Sequence, residues 1–219
     1  MSRELEIILQ SIWPILKAGL LATIPLSLIS FAIALVIAVI TALIKLSNFK
    51  ILKFIFSTYV WIFRGTPLLV QLFIVFYGVP KAGITLDAWT AAIITFSLNT
   101  GAYASESIRA SILAIPKGQW EAAESLGMTY WQVLRRVIAP QTVRISLPPI
   151  TNNFIDLVKG TSLAASITIT EMFMIGQQIT ARTYEPLAIY SLVAALYLVI
   201  CTVLTYAQGK LEKSASKYI

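Results

Sequence analysis

Histidine is absent from this 219-residue chain, and cysteine occurs once, at Cys201. A transition-metal site or a His-dependent nucleophilic triad therefore has almost nothing to be built from. A single thiol forms no intramolecular disulfide, and its place inside an apolar run reads as a small packing residue. Charge is scarce as well, with 12% of residues Asp, Glu, Lys or Arg, about half the share found in soluble proteins. A soluble domain of this size needs more charge than that to cover its surface. The opening Met1-Ser2-Arg3-Glu4-Leu5-Glu6 has neither the basic region nor the small-residue cleavage site of a secretory leader. The first apolar run is also too long for one, so this segment is expected to be retained.

Apolar residues fill the space instead, at 58% of the chain. Three stretches carry no charge: Ala18–Ile44 (27 residues), Ala88–Ser105 (18) and Pro186–Gly209 (24). A hydrocarbon core about 30 Å thick is crossed by about 20 residues of helix. Open sheet edges are excluded there, because lipid satisfies no backbone hydrogen bond. Two further spans are interrupted by charge: roughly Phe54 to Val79, containing Arg64, and roughly Ser146 to Gln177, containing Asp156, Lys159 and Glu171. The expected fold is thus all-α integral membrane with five transmembrane helices. The linkers fall at Lys45–Lys53, Pro80–Asp87, Leu113–Ile145 and Gln178–Glu185.

Alternate sides of these spans differ in basic charge. One holds Lys45, Lys50, Lys53, Lys117, Arg135, Arg136, Arg144, Lys210, Lys213 and Lys217, and the other holds Arg3, Lys17, Lys81 and Arg182. By the positive-inside rule the C-terminus is cytoplasmic and the N-terminus outside. The net charge of +7 is therefore topological rather than a nucleic-acid footprint, since the basic residues cluster at segment ends and form no stripe. The implied layout is an extracytoplasmic segment at 1–12, a membrane domain at 13–212 and a cytoplasmic tail at 213–219.

The linker at about 113–145 is far longer than a connector needs to be. Gln119–Leu126 are mostly good helix formers, and Gly127 suits the left-handed conformation that ends a helix. Thr129-x-x-Gln132 reads as a capping box opening a second short helix, with Trp131, Leu134 and Ile138 on one face. The loop is a helix–Gly–helix, and its length suggests a docking surface. The alternative, an amphipathic helix lying on the membrane, sets Glu121 and Glu124 against anionic headgroups.

Glu121-Ala122-Ala123-x-x-x-Gly127, followed by Ile138 and Pro140, resembles the EAA signature of ABC-importer permease subunits. Pro116-Lys117-Gly118-Gln119, Ile145-Ser146-Leu147-Pro148-Pro149, Arg64-Gly65-Thr66-Pro67-Leu68-Leu69-Val70-Gln71 and Lys159-x-Thr161-Ser162-Leu163 resemble the polar amino-acid branch of that family. The likeness covers roughly residues 59–165, and Gly160 departs from it where the family usually carries Asp. The resemblance implies a type I ABC importer permease. Its loop, through Glu121, Ala122, Ala123 and Gly127, would sit in a groove on a separate ATP-binding subunit and transmit nucleotide-driven closure.

Charges inside a bilayer are costly and normally mark a pathway. At 1.5 Å per residue, Arg64 lies about 16 Å from Lys53, Asn99 about 18 Å from Asp87, and Asp156 and Lys159 about 15–20 Å from Ser146. Polar groups from three helices thus reach the middle of the core, where transporters bind substrate. Arg64 or Lys159 suits the carboxylate of an amino-acid zwitterion and Asp156 its amine. The competing reading is an i,i+3 salt bridge between Asp156 and Lys159. Thr161 and Ser162 add hydroxyls that serve either a ligand or their own backbone. Gly65 and Pro67 predict a kink or break beside Arg64. Glu106 and Arg109 read as a local ion pair, and Glu171, placed near the outer face, either lines an entrance or is merely hydrated.

These readings combine into a permease subunit for a polar amino acid, forming half of a translocation path in a prokaryotic inner membrane. Five spans bury one side of such a path, so a second copy or a similar permease is expected beside it. No G-x-x-x-x-G-K-[ST] element occurs, so ATP and Mg belong to a partner ATPase dimer, and this chain is neither an enzyme nor a cofactor protein. No external segment exceeds about 20 residues by the span assignment, which calls for a separate extracytoplasmic substrate-binding protein. The alternative is a self-sufficient secondary transporter or channel for small polar solutes. Such chains usually carry internal repeats, and none is found here.

Overall fold

The computed structural model describes residues 3–216, with side chains to Lys213. Lys217 and the end of the expected 213–219 tail lie outside the described residues, as do the first two residues of the 1–12 segment. All regular elements among the described residues are helical. Helix α1 (Arg3–Ala18) runs through a π turn at Gly19–Thr23 into α2 (Ile24–Leu46). Together they form one 44-residue helix, about 66 Å long at 1.5 Å per residue, twice the bilayer core. The uncharged run at 18–44 is therefore only its second part. Ser11, Ile15 and Ala18 of α1 are buried, on the side facing the C-terminal helices described below.

The expected span at 54–79 is two helices. Helix α3 (Lys50–Gly65) and a segment from Leu68 to Ala82, opening with α4 (Leu68–Phe73), lie at 110° to each other. A kink or break was expected, and it is a break. Pro67 bars its predecessor from helical geometry, so Thr66 is extended at φ −122°, ψ 149°. Helix α5 (Ala88–Leu113) follows, capped by Asp87, whose carboxylate accepts the Thr90 N–H at 3.1 Å. The Thr90 hydroxyl donates to it too, and these two bonds hold the Asp87 carboxyl below the usual carboxylate range.

The long linker is a helix–Gly–helix, with two corrections. Helix α6 (Lys117–Ser125) ends at Gly127, which is left-handed at φ 76°, and α7 (Tyr130–Val133) begins as Thr129 N–H donates to Gln132 Oε1 at 2.9 Å. No boundary follows at 145. Helix α7 continues through a π turn at Leu134–Ile138 into α8 (Ala139–Gly160), the wider turn accommodating Pro140 with its ring and missing N–H. The π turn also changes the buried face. Val133 and Ile138 are fully buried, five residues apart, while Trp131 is 72% exposed. The predicted face of Trp131, Leu134 and Ile138 assumed an α period that this turn does not keep.

The expected span at 146–177 is likewise not one helix. A 3₁₀ segment at Thr161–Ile167 ends in left-handed Thr168 (φ 70°), and α9 (Met172–Thr183) starts afresh. Glu171 opens it, accepting the N–H groups of Phe173 at 2.9 Å and Met174 at 2.7 Å. Left-handed Tyr184 turns the chain into α10 (Pro186–Ser216), so the linker expected at 178–185 is only Tyr184 and Glu185, and that at 45–53 is Ser47–Phe49. Met172 and Val193 close over Ile15 of α1 in a small cluster of their own.

The centre of the fold is the seam between α2 and α5. On α2 the buried Leu26, Ser30, Ala34, Ala38 and Ala42 recur every fourth residue. On α5, Gly101 is so close that a Cβ there would meet Ile37 Cγ2 at 3.0 Å and Tyr59 Oη at 3.2 Å. Ser97 Oγ donates across the seam to the Ser30 carbonyl at 3.1 Å. By length and apolarity alone, Arg3–Leu46 and Pro186–Lys213 qualify as membrane spans, and the bent pair makes a third if counted as one. Helices α5 and α8 do not qualify, for a physical reason: they pack against other helices, so their polar residues need not meet lipid. Replacing Ala38 with Leu overpacks this seam and is expected to cost about 1–3 kcal/mol. A lowered Tm of the purified complex in detergent checks it, and an unchanged Tm denies the seam its structural role.

Candidate functional site

Side chains of α5 and α8 face each other across a cavity of about 250 Å³ lined by Leu68, Asn99, Thr100, Tyr103, Asn153, Asp156 and Leu157. Here Asn99 and Asp156, placed by sequence on different helices at similar depth, line the same cavity. A wider space of about 530 Å³ adjoins it through the common residues Tyr103 and Asn153, and reaches Arg64 and Glu106. The Arg64 guanidinium lies 5.2 Å from the centroid of the Tyr103 ring, a cation–π contact that holds it beside the cavity. Arg64, Asn99 and Asp156 therefore fall within one connected region.

The remaining candidates are arranged otherwise. Lys159 Nζ lies 2.8 Å from Asp156 Oδ1, with both side chains more than half exposed. The i,i+3 pair is thus present, at a position open to solvent. Thr161 is fully buried and its hydroxyl donates to the Val158 carbonyl, while Ser162 donates to Lys159. Both hydroxyls are engaged with their own helix, and neither lines the cavity. A side chain built at Gly160 would meet Leu68 Cδ2 at 3.6 Å, an ordinary contact, so that position has room and leaves the Leu68 wall uncharged.

Three polar arrangements emerge that the sequence did not reveal. Gln71 is buried, and its Nε2 donates to the Phe63 carbonyl (2.9 Å), the Thr66 carbonyl (3.0 Å) and Thr66 Oγ1 (2.8 Å). Asn99 Nδ2 donates to the same Phe63 carbonyl (3.1 Å) and to Gln71 Oε1 (3.0 Å). Thr100, Tyr103 and Asn153 join the cavity wall; their spacing from Asn99 and Asp156, one helical turn or less, was the available signal. Glu171, neither at an entrance nor hydrated, is fully buried and also accepts the Tyr197 hydroxyl at 2.8 Å.

Nearer the long loop, Glu106 accepts Arg109 Nη2 at 2.8 Å, as the local pair predicted. It also takes Lys45 Nζ from the end of α2, which joins the two seam helices at that end. On the loop, Glu121, Ala122, Glu124 and Gly127 are exposed, together with Leu126 at 82%. Ala123 is turned inward, against a cluster with Ile108, Ile112, Val133 and Ile138. That inward Ala fixes α6 on the body of the protein while its neighbours face outward.

Residues 34–217 match the family described as binding-protein-dependent transport system inner membrane component, and the chain belongs to that family. It is the membrane permease component of an ABC transporter, without catalysis of its own, in a system that also has an ATPase and a substrate-binding protein. The L-cystine transport system permease protein TcyB of Bacillus subtilis is 49% identical over 215 residues, covering 98% of this chain and 92% of that one. The glutamine transport system permease protein GlnP of Escherichia coli is 35% identical, covering 93% and 95%. A crystal structure of an amino acid ABC transporter with histidines superposes with a TM-score of 0.90 at 32% identity, covering 98% and 99%.

Proposed function

We propose that this chain is the permease of an ATP-driven importer for a polar amino acid, cystine before glutamine, with Asn99 and Asp156 contacting the cargo in mid-membrane. The observation that carries the reading is the α5–α8 cavity. It brings an amide and a carboxylate to one cavity, with the Arg64 cation on the adjoining space. A zwitterion needs a cation for its carboxylate and an anion for its ammonium group, and Arg64 and Asp156 supply one of each. The relative at 49% identity, named for L-cystine transport, supports cystine as first choice. Lys159, Thr161 and Ser162 fit as supports of Asp156 and of the end of α8 rather than as contacts of their own.

In this reading five segments cross the bilayer: α2, the broken α3–α4 pair, α5, α8 with its 3₁₀ continuation, and α10. The N-terminus is outside, the C-terminus in the cytoplasm, and the 113–145 loop faces the ATPase dimer, which binds ATP and Mg. The exposed Glu121, Ala122, Glu124 and Leu126 suit a groove on that subunit, and Ala123 transmits its push to α5 through Ile108 and Ile112. The cavity is open on one side in the single chain, so a second permease copy or a close homologue closes the path.

Two outcomes test this. Asp156→Ala in the reconstituted complex is expected to lower ATP-driven uptake of labelled cystine at least about tenfold, the scale of one charge-assisted hydrogen bond, with the ATPase still copurifying. Uptake at the unaltered level reduces Asp156 to a structural partner of Lys159. Gly127→Val imposes a β-branched side chain on a left-handed residue at φ 76°, at a cost of about 1–2 kcal/mol. It is expected to lower both copurification of the ATPase and uptake, and full retention of both removes the loop from coupling.

A further inference from the structure

Where helix α3 ends, its last carbonyls have no helical partner, because Thr66 and Pro67 are extended. In hydrocarbon such groups must be satisfied from within the protein. Gln71 does this from beyond the break, its side chain folding back to donate to the carbonyls of Phe63 and Thr66 and to Thr66 Oγ1. Its own oxygen is held in turn by Asn99 Nδ2, which also reaches the Phe63 carbonyl. Gln71 and Asn99 are 7% and 8% exposed, and the bond between their side chains is buried from water.

From this geometry we infer that Gln71 is a positioning residue for transport. It clasps the 110° break and fastens it to α5, so that the angle of the break and the width of the α5–α8 cavity change together. Three features converge on it. The clasp spans both sides of the break and the adjacent helix. Asn99 belongs at once to the clasp and to the cavity wall, its Nδ2 committed to the first. Arg64 and Leu68, which line the two connected spaces, lie between the clasped residues in sequence. A conformational step that opens or shuts the cavity by moving α5 therefore pulls on the end of α3 and the start of α4 through two side-chain amides. The inference rests on the cavity being the substrate path; the geometry of the clasp does not.

The test uses the assembled transporter in vesicles, with Cys201 replaced by Ala and spin labels at Trp61→Cys and Ile74→Cys, positions 75% and 62% exposed on either side of the break. Gln71→Leu keeps the bulk and removes the amide. It is expected to shift and broaden the label distance and to raise the cystine concentration for half-maximal uptake about tenfold, the scale of one or two lost buried hydrogen bonds. Thr66→Val, which spares both carbonyl bonds, is expected to stay within about twofold on the same scale. An unchanged distance in Gln71→Leu overturns the clasp, whatever uptake does. A changed distance with unchanged uptake overturns its role in transport. Asp156→Ala measured in parallel tells the two failures apart: if that variant also transports normally, the cavity is not the path.

Discussion

The close approach of α2 and α5 is the constraint on which the other helices depend. Lipid gives helices no hydrophobic reason to associate, so contact rests on backbones that come near and on polar groups that pair across the gap. The fourfold spacing of small residues from Ser30 to Ala42, and Gly101 opposite Ile37, provide the first. Ser97 to Ser30, and Glu106 to Lys45, provide the second. Because α5 is enclosed on this side by α2 and on another by α8, it carries Asn99, Tyr103 and Glu106 without presenting them all to hydrocarbon. A polar cavity wall in a membrane domain calls for such a sheltered helix.

Each interruption of the helices is satisfied locally by a side chain from nearby. At the α3–α4 break it is Gln71 and Asn99, and at the start of α9 it is the Glu171 carboxylate, itself held by Tyr197. The π turns at Gly19–Thr23 and Leu134–Ile138 are milder versions, in which the ladder widens rather than ends. The Gly19–Thr23 turn packs against Met172 at the start of α9, while the α3–α4 break stands beside the cavity and the Leu134–Ile138 turn beside the loop. Those are the two regions where an importer has to move.

Much of this was legible in the sequence, for identifiable reasons. Long uncharged runs report helices of membrane length, and the left-handed Gly127 and the Thr129–Gln132 box are local features that need no tertiary context. The break at Gly65–Pro67 followed from proline stereochemistry. What was not legible depends on register or on distant partners. Trp131 was placed on one face with Leu134 and Ile138 because an α period was assumed through a π turn. Glu171 was left beside water because its partner Tyr197 is far along the chain, and the end of α9 was missed, although Pro186 follows it, because the turn is made by left-handed Tyr184 rather than by a glycine. Gln71 was quoted within a motif but given no role, since its bonds are to carbonyls freed only once the helix breaks. Asn99 and Asp156 were brought together by depth alone, a one-dimensional measure that says nothing about direction. It also grouped them with Thr161 and Ser162, which face their own backbone.

The central claim is that cargo passes between α5 and α8, against residues of this chain. The most direct measurement is a structure of the assembled permease, ATPase and binding protein, trapped during turnover with cystine. The account predicts ligand density against Asn99, Asn153 and Asp156, with Arg64 on the same connected space. Density elsewhere in the membrane domain, with the α5–α8 cavity collapsed or filled by side chains in the same state, would contradict it.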